Sequence, residues 1–253
     1  MIHLSSLDQC YSKPNDIDLS VILPALTADD DFNRCVYSLR AALSGVVNYE
    51  VLCIVPDSGP FKGCLSHDLT IIVERNSGIY SAMNQGIELA VGRYLYFIGQ
   101  DDILLPSAAV AVKAGVEQSA NLILADVFFG KNEVFRNTRS RNSLVWRNWC
   151  HQGIFYDRVL FLASVNRYPL QYRTQADHFA NIVFSSLKNV NSIKFKSCVA
   201  WYSASGLSSR SLDAEFRRSF PGLVLEHFGP FSFAIVVFRR WLLSISRHLR
   251  ILK

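Results

Sequence analysis

L-A-V-G-R-Y-L-Y-F-I-G-Q-D-D-I-L-L-P, from Leu89 to Pro106, sets the architecture of this 253-residue chain. Tyr94 to Ile98 is a short apolar and aromatic run, the composition of a buried strand. Gly99-Gln100-Asp101-Asp102 ends it. Two adjacent carboxylates are costly to bury as ions unless something positive meets them. In an open α/β sheet, ligands bind beyond the carboxyl ends of the strands. The pair has two readings. In one, Asp101 caps the next helix and Asp102 is solvated. In the other, the pair holds a divalent metal that bridges to a substrate phosphate.

The flanking sequence repeats a strand-helix order. Asp18–Leu23 reads as a first strand stopped by Pro24, and Asp29-Asp30-Asp31 as the start of a helix that ends near Gly45. Tyr49–Val55 and Leu69–Val73 read as strands, with a turn at Pro56-Asp57-Ser58-Gly59-Pro60 between them. A helix over Ile79–Ala90 precedes the central strand. Beyond Pro106, Ala108–Gln118 reads as a helix, Asn121–Phe129 as a strand and Lys131–Arg147 as a loop or hairpin. Ile154-Phe155-Tyr156 is a further apolar run. A helix opens at Gln175 and runs to about Leu187, Ser192–Tyr202 is a strand, and Ser203–Ser209 is a loop. Met1–Asp16 is a polar lead-in. This alternation predicts an α/β fold with a mostly parallel sheet and helices on both faces.

Composition narrows the function. Half of the residues are hydrophobic, enough for a sizeable core and too many for disorder. From Arg210 onward there are eight Lys or Arg against three acids, which accounts for the whole net charge of +5. A nucleic-acid binder would spread such charge over a face of the fold, so none is expected as partner. Six scattered cysteines (Cys10, Cys35, Cys53, Cys64, Cys150, Cys198) make neither a zinc motif nor a disulfide framework; reduced thiols point to the cytosol. The first residues lack the pattern of a secretory signal, and no continuous apolar run is long enough to predict a spanning helix. Neither G-x-G-x-x-G after the first strand nor G-x-x-x-x-G-K-[ST] occurs, which argues against dinucleotide dehydrogenases and P-loop enzymes.

Glu74–Asp102, E-R-N-S-G-I-Y-S-A-M-N-Q-G-I-E-L-A-V-G-R-Y-L-Y-F-I-G-Q-D-D, resembles the core of inverting family-2 glycosyltransferases of the GT-A fold. The resemblance is to the bacterial polysaccharide and lipopolysaccharide branch. Cys150-His151-Gln152 and Ala176-Asp177-His178 supply two further blocks in the same order, over about residues 18 to 210. The resemblance implies a GT-A-like (Rossmann-like) sheet and transfer of a sugar from a nucleotide donor, most often a UDP sugar, to an acceptor hydroxyl with inversion. It implies Asp101, with Asp102 next, as ligands of a divalent Mn²⁺ or Mg²⁺ that offsets charge on the departing diphosphate. It implies Asp177 as general base, with helix capping as the alternative role and His178 as a rival base. Pro24, Thr27, Asp57, Asn84 and Asp101 fall on the nucleotide-sugar side. His151 and Gln152 fall on the acceptor or diphosphate side; the other reading of His151 is a buried, hydrogen-bonded histidine. Tyr80 falls beside the donor or in the core, and aromatics at helical spacing favour the core. Gly99 replaces an acid or Asn usual in the family, and the run around Asp57 departs from its Asp-Gly-Ser pattern.

These blocks divide the chain into a glycosyltransferase domain, residues 1–210, and a C-terminal segment, 211–253. In the latter, Phe231–Phe238 and Trp241–Ile245 are apolar and interleave with Arg239, Arg240, Arg247, Arg250 and Lys253. An amphipathic helix of this kind favours the inner surface of a membrane. Packing on the catalytic domain with a solvated basic edge is the other reading. The acceptor is expected to be lipid-linked or a polysaccharide, and a lipid-linked one would place the enzyme at that surface. The alternative function is a catalytically silent relative that binds a nucleotide or glycan within an assembly complex. A nucleotidyltransferase is disfavoured by the lack of a Gly/Lys-rich loop after the first strand.

Overall fold

The computed structural model describes residues 17–57, 61, 69–130, 133–203 and 213–251, with backbone alone for 244–251. The lead-in Met1–Asp16, Cys10, Ser58-Gly59-Pro60, Cys64, Lys131, the end of the loop after Ser203, and the side chains of Arg247, Arg250 and Lys253 lie outside the described residues. The strands are β1 (Leu19–Pro24), β2 (Tyr49–Val55), β3 (Leu69–Val73), β4 (Tyr94–Phe97), β5 (Ile103–Leu104), β6 (Leu122–Phe129), β7 (Glu133–Phe135), β8 (Ile154–Asp157) and β9 (Ser192–Tyr202). The helices are α1 (Asp30–Leu43), α2 (Ile79–Leu89), α3 (Ser107–Glu117), α4 (Arg158–Ser164), α5 (Ala176–Ser185) and α6 (Ala214–Ile251).

The strands form one sheet in the order β3-β2-β1-β4-β8-β6-β9-β5, with β7 paired to β6. β1 to β4 run parallel, β6 and β9 run parallel, and β8 runs antiparallel between β4 and β6. Side chains alternate across the sheet. Val21 and Leu23 point into one core with α1 and α3, whereas Ile22, Leu52 and Phe97 point into the other with α2, α4 and α5. Helices on both faces of a mostly parallel sheet agree with the reading of the sequence. Three elements were not legible there: α4, the two-residue β5, and the strand character of the apolar run that becomes β8.

The order places the functional end. After β1 the chain turns to β2 on one side, and β4 pairs on the other. In open α/β sheets such a reversal marks the ligand crevice, here beyond the carboxyl ends of β1 and β4. Because β8 runs against β4, the residues just before β8 arrive at the same end. The carboxyl end of β9 arrives there as well, since β9 follows β6 and β6 opposes β8.

The C-terminal segment departs from expectation. No spanning helix was expected, yet Ala214–Leu243 has an 18-residue window of mean hydropathy 1.5, long and apolar enough to cross a membrane by length and composition. Interspersed polar residues break the run in sequence, yet the mean over the window stays at 1.5. Its path is not straight, however. Gly229 has φ 84° and ψ 175°, a backbone that residues with a Cβ seldom adopt, and Pro230 follows it. Arg240 donates to the carbonyl of Arg217, and Val236 packs with Val224. In a straight helix, 23 residues would separate those partners by about 34 Å. α6 is therefore a hairpin of two arms, 214–228 and 230–251. Its first arm is built into the core through Phe216, which is 3% exposed and lies edge-on to Tyr172.

Phe97 is fully buried and its ring meets Tyr156, Phe161 and Tyr168. Phe97→Ala is expected to cost about 3–5 kcal/mol of stability, because the cavity cannot be refilled by neighbours that are themselves ring-locked. Equilibrium denaturation in urea measures it.

Candidate active site

Asp101 and Asp102 follow β4 as expected, but their surroundings differ sharply. Asp102 is 1% exposed. Its Oδ2 accepts from Gln152 Nε2 at 3.0 Å and Gly99 N–H at 3.2 Å, and its Oδ1 accepts from Ser203 N–H at 3.1 Å. Burial first, then the charge of Asp101, push its pKa up to about 6. A carboxylate committed to three donors inside the protein joins β4, β8 and the end of β9. Asp101 is half-buried and accepts from the Ser203 hydroxyl at 2.5 Å. Neither caps α3, whose N-cap position is Pro106.

The block Cys150-His151-Gln152-Gly153 forms a short 3₁₀ turn, His151–Gly153, that leads into β8. Asn137 holds its start, donating to the carbonyls of Ala125 and Cys150 at 3.0 Å each and accepting from Cys150 N–H at 2.9 Å. Tyr96 of β4 holds its centre through a 2.8 Å hydrogen bond to the Gln152 carbonyl. The Cys150 thiol, its pKa pushed up to about 12 by burial, donates to Gln152 Oε1 at 3.1 Å and so turns Gln152 Nε2 toward Asp102. A Cβ at Gly153 would lie 2.6 Å from the Ala125 carbonyl oxygen, so this close approach admits only glycine.

The turn also reaches Asp177, in the first turn of α5. His151 Nδ1 lies 3.6 Å from Asp177 Oδ2. Asn148 Nδ2 donates to the same oxygen at 2.6 Å, and the Tyr80 hydroxyl donates to Oδ1 at 3.0 Å. Behind Asn148, Asn181 donates to its Oδ1 and Tyr156 donates to Asn181. Burial raises the pKa of Asp177, but the hydrogen bond and charge of His151, the charge of His178 and the Tyr80 hydroxyl outweigh it, so the carboxyl sits below its ordinary value. The side chain keeps 13% exposure. Asp177 is not a cap, since Gln175 occupies that position. One turn thus carries residues that touch the Asp101-Asp102 end and the Asp177 end.

The remaining candidates divide. Thr27 lies in the β1–α1 loop, where its hydroxyl donates to Asp29 and its backbone N–H faces Gln100 Oε1 at 3.3 Å. Pro24 closes β1 beside it, and Asp57 is exposed at the end of β2. Asn84 does not face the crevice: both ends of its carboxamide are spent on the backbone of Tyr168, at 2.9 and 2.8 Å. His178 turns away from Asp177, with Nε2 2.8 Å from the Leu144 carbonyl and its ring against Phe216 and Phe220. Burial lowers its pKa, and it is this orientation, toward Leu144 and the two rings, that sets it apart from the role of base. Tyr80 is buried, in line with the core reading, and its hydroxyl is bonded to Asp177.

Gln100 was missed in the sequence. Its Oε1 accepts from Leu26 N–H at 2.5 Å, and its Nε2 donates to the Thr27 hydroxyl at 2.9 Å, pinning the β1–α1 loop over the crevice. Asn137, Asn148 and Ser203 were also missed, because Asn and Ser in loops carry no periodic signal. Among the described residues, no group of three or more His, Cys, Asp or Glu could hold a metal ion. Asp101 offers one hard oxygen ligand, which suits a cation shared with a substrate diphosphate and not one held by protein alone. A Cβ at Gly99 would lie 3.0 Å from Asp101 Oδ1 and 3.2 Å from Asp102 Oδ2, so the missing acid leaves space that these carboxylates crowd.

This nine-stranded α/β fold has known counterparts. Residues 20–189 match the profile of Glycosyl transferase family 2, and the chain belongs to that family. It is 31% identical over 250 residues to the PGL/p-HBAD biosynthesis glycosyltransferase of Mycobacterium tuberculosis, covering 90% of this chain and 92% of the relative. Over 101 residues it is 30% identical to the uncharacterized glycosyltransferase YibD of Escherichia coli, covering 35% of this chain and 27% of that protein. Among solved structures, S. aureus TarS 1-349 in complex with UDP-GlcNAc superposes with a TM-score of 0.67 at 14% identity, over 83% of this chain and 67% of that one. The chain spans 65% of the S. aureus TarS 1-349 chain in a second structure of that fragment. The mannosyltransferase PcManGT from Pyrobaculum calidifontis, in complex with GDP-Man and Mn²⁺, superposes with a TM-score of 0.56 at 15% identity, over 92% of this chain and 74% of that one.

The two acids respond oppositely to pH. Asp102 has a raised pKa, so its contribution is complete below its unfolded value near 3.8 and is lost as pH rises through about 6. Asp177 has a lowered pKa, so its contribution is present above about 3.8 and is lost as pH falls through its folded value. Thermal unfolding of Asp102→Asn is expected to lack the decline between about pH 4 and 6 that the parent chain shows. An unchanged profile would contradict the burial described.

Proposed function

We propose that this glycosyltransferase moves a sugar from a nucleotide diphosphate donor, a UDP sugar first, to a hydroxyl of a glycan or lipid-linked acceptor, with inversion at the anomeric carbon. The observation that carries the proposal is the pair of contacts from one turn: Gln152 to Asp102 at 3.0 Å and His151 to Asp177 at 3.6 Å. They tie the Asp101-Asp102 end of β4 and the Asp177 end of α5 to one short turn, which supports a diphosphate held at Asp101 and a base at Asp177 acting in one site. The nucleotide donor is supported by the complexes of two structural counterparts, one with UDP-GlcNAc and one with GDP-Man. We take residues 1–210 as the catalytic domain and 211–253 as its extension.

Asp177 takes the acceptor hydroxyl proton as the new oxygen–carbon bond forms. The bond from the anomeric carbon to the phosphate oxygen breaks with its electron pair leaving on the nucleoside diphosphate. A base with a lowered pKa is fully ionised at neutral pH, and it receives the proton when the attacking oxygen has become acidic. Tyr80, Asn148 and His151 fix the carboxylate so that one lone-pair direction faces the crevice. Asp101 would hold Mn²⁺ or Mg²⁺ together with the diphosphate, and such an ion supplies charge stabilisation for the leaving group. Pro24, Thr27 and Asp57 border the nucleoside side, where Gln100 sets the position of the Thr27 loop.

A silent binding relative is the second reading. Gly99, in place of an acid, and Gln100, spread over the Leu26 and Thr27 amides, favour it. Release of UDP from UDP sugars with Mn²⁺ separates the two. Asp177→Asn is expected to lower turnover by about 10²–10⁴-fold with nucleotide affinity retained. Turnover unchanged by this substitution would contradict the proposal, and no turnover by the parent chain on any nucleotide sugar would favour the second reading.

A further inference from the structure

The second arm of α6 has no part in the crevice, yet it presents an organised surface. Phe231, Ala234, Phe238 and Trp241 are all exposed and follow one another at spacings of three, four and three residues. That spacing forms one stripe along a helix. Phe231 is 79% exposed, Phe238 58% and Trp241 57%. Phe238 and Trp241 stack with centroids 5.9 Å apart, making an aromatic ridge. Val237 and Leu242 widen it, and Trp146 lies beside it beneath the Arg239 guanidinium. The opposite side of the same arm, through Val236 and Arg240, is spent on the first arm.

The hairpin limits what this surface can do. Only 17% of the apolar window is buried, so it is not the core helix of a soluble domain. The first arm, 214–228, is about 22 Å long, too short for a hydrocarbon core of about 30 Å. The second arm carries Arg239 and Arg240 near its middle, where a spanning helix would have to bury both. An arm that cannot cross can still lie flat, with its aromatic stripe in the boundary between headgroups and acyl chains. Charge selects the partner. The segment from Arg210 onward carries the whole net charge of +5, and a second copy would bring an identical cationic segment against it.

We propose that α6 is an in-plane membrane anchor. Its stripe Phe231–Ala234–Phe238–Trp241 inserts shallowly into an anionic bilayer surface, while its first arm, fixed to α5 and the core, holds the crevice at a set height above the lipid. This stands independently of the catalytic proposal. It would deliver the enzyme to lipid-linked acceptors if that proposal holds.

Vesicle flotation of the full chain tests it, using phosphatidylcholine with and without phosphatidylglycerol. The chain is expected to float with anionic vesicles at least about tenfold more than with neutral ones, because each basic residue near the surface adds attraction. Phe238→Glu with Trp241→Glu, and Phe231→Glu alone, are expected to abolish or sharply reduce flotation with the thermal unfolding temperature unchanged. These side chains are already in solvent, so folding is retained. Flotation equal to the parent by both variants would overturn the proposal, as would failure of the parent to bind anionic vesicles. Sedimentation showing a lipid-free dimer that Phe231→Glu dissolves would assign the stripe to a second copy instead.

Discussion

The hydrogen bond from Gln152 to Asp102 and the contact from His151 to Asp177 leave neighbouring residues of one short turn in two directions. The site depends on that divergence. Asp102 belongs to the end of β4 and Asp177 to the start of α5, 75 positions later in sequence. Nothing in either element's own geometry aligns them. The turn does so because it is itself held on three sides, by Asn137, by Tyr96 and by the absence of a side chain at Gly153. Buried polar contacts of this kind are worth little net as hydrogen bonds, but leaving one unmade is expensive. The network therefore specifies a single arrangement of the crevice more than it adds stability.

Burial assigns different work to the two adjacent acids after β4. Asp102 is enclosed by three donors and serves as the anchor for the turn and for Ser203. Asp101 stays partly open, which is what a group shared with an incoming diphosphate requires. Asp177 shows the complementary solution. It is surrounded by donors, so its charge is retained inside the fold, and it keeps a small opening to the crevice. One acid is enclosed and the others keep partial exposure without any change of residue type.

Much of the fold was legible because strands of near-continuous apolar residues and helices with a clear stripe carry strong periodic signals. Tyr49–Val55 and Leu69–Val73 have the bounds read from the sequence. α4 was not legible, since seven residues are too few for a period to show, and the two-residue β5 exists only through its pairing with β9. The reversal at Gly229 was hidden for another reason: Gly-Pro inside an apolar stretch marks a break but not its angle. In the site, Asp101, His151, Gln152 and Asp177 were named from blocks. The partners that aim them, Asn137, Asn148 and Ser203, come from loops where no pattern distinguishes a positioned amide from a solvated one. Asn84 misled for the converse reason, because a polar residue on a helix near the crevice can be turned inward by a backbone it happens to match.

A crystal structure of the chain soaked with a UDP sugar and Mn²⁺ tests the central claim most directly. The account requires the diphosphate against Asp101, the anomeric carbon between it and Asp177, and the Asp177 carboxylate on the face opposite the departing phosphate. Gln152 should still be bonded to Asp102. A diphosphate bound away from Asp101, or a sugar whose far face is closed to Asp177, would contradict it.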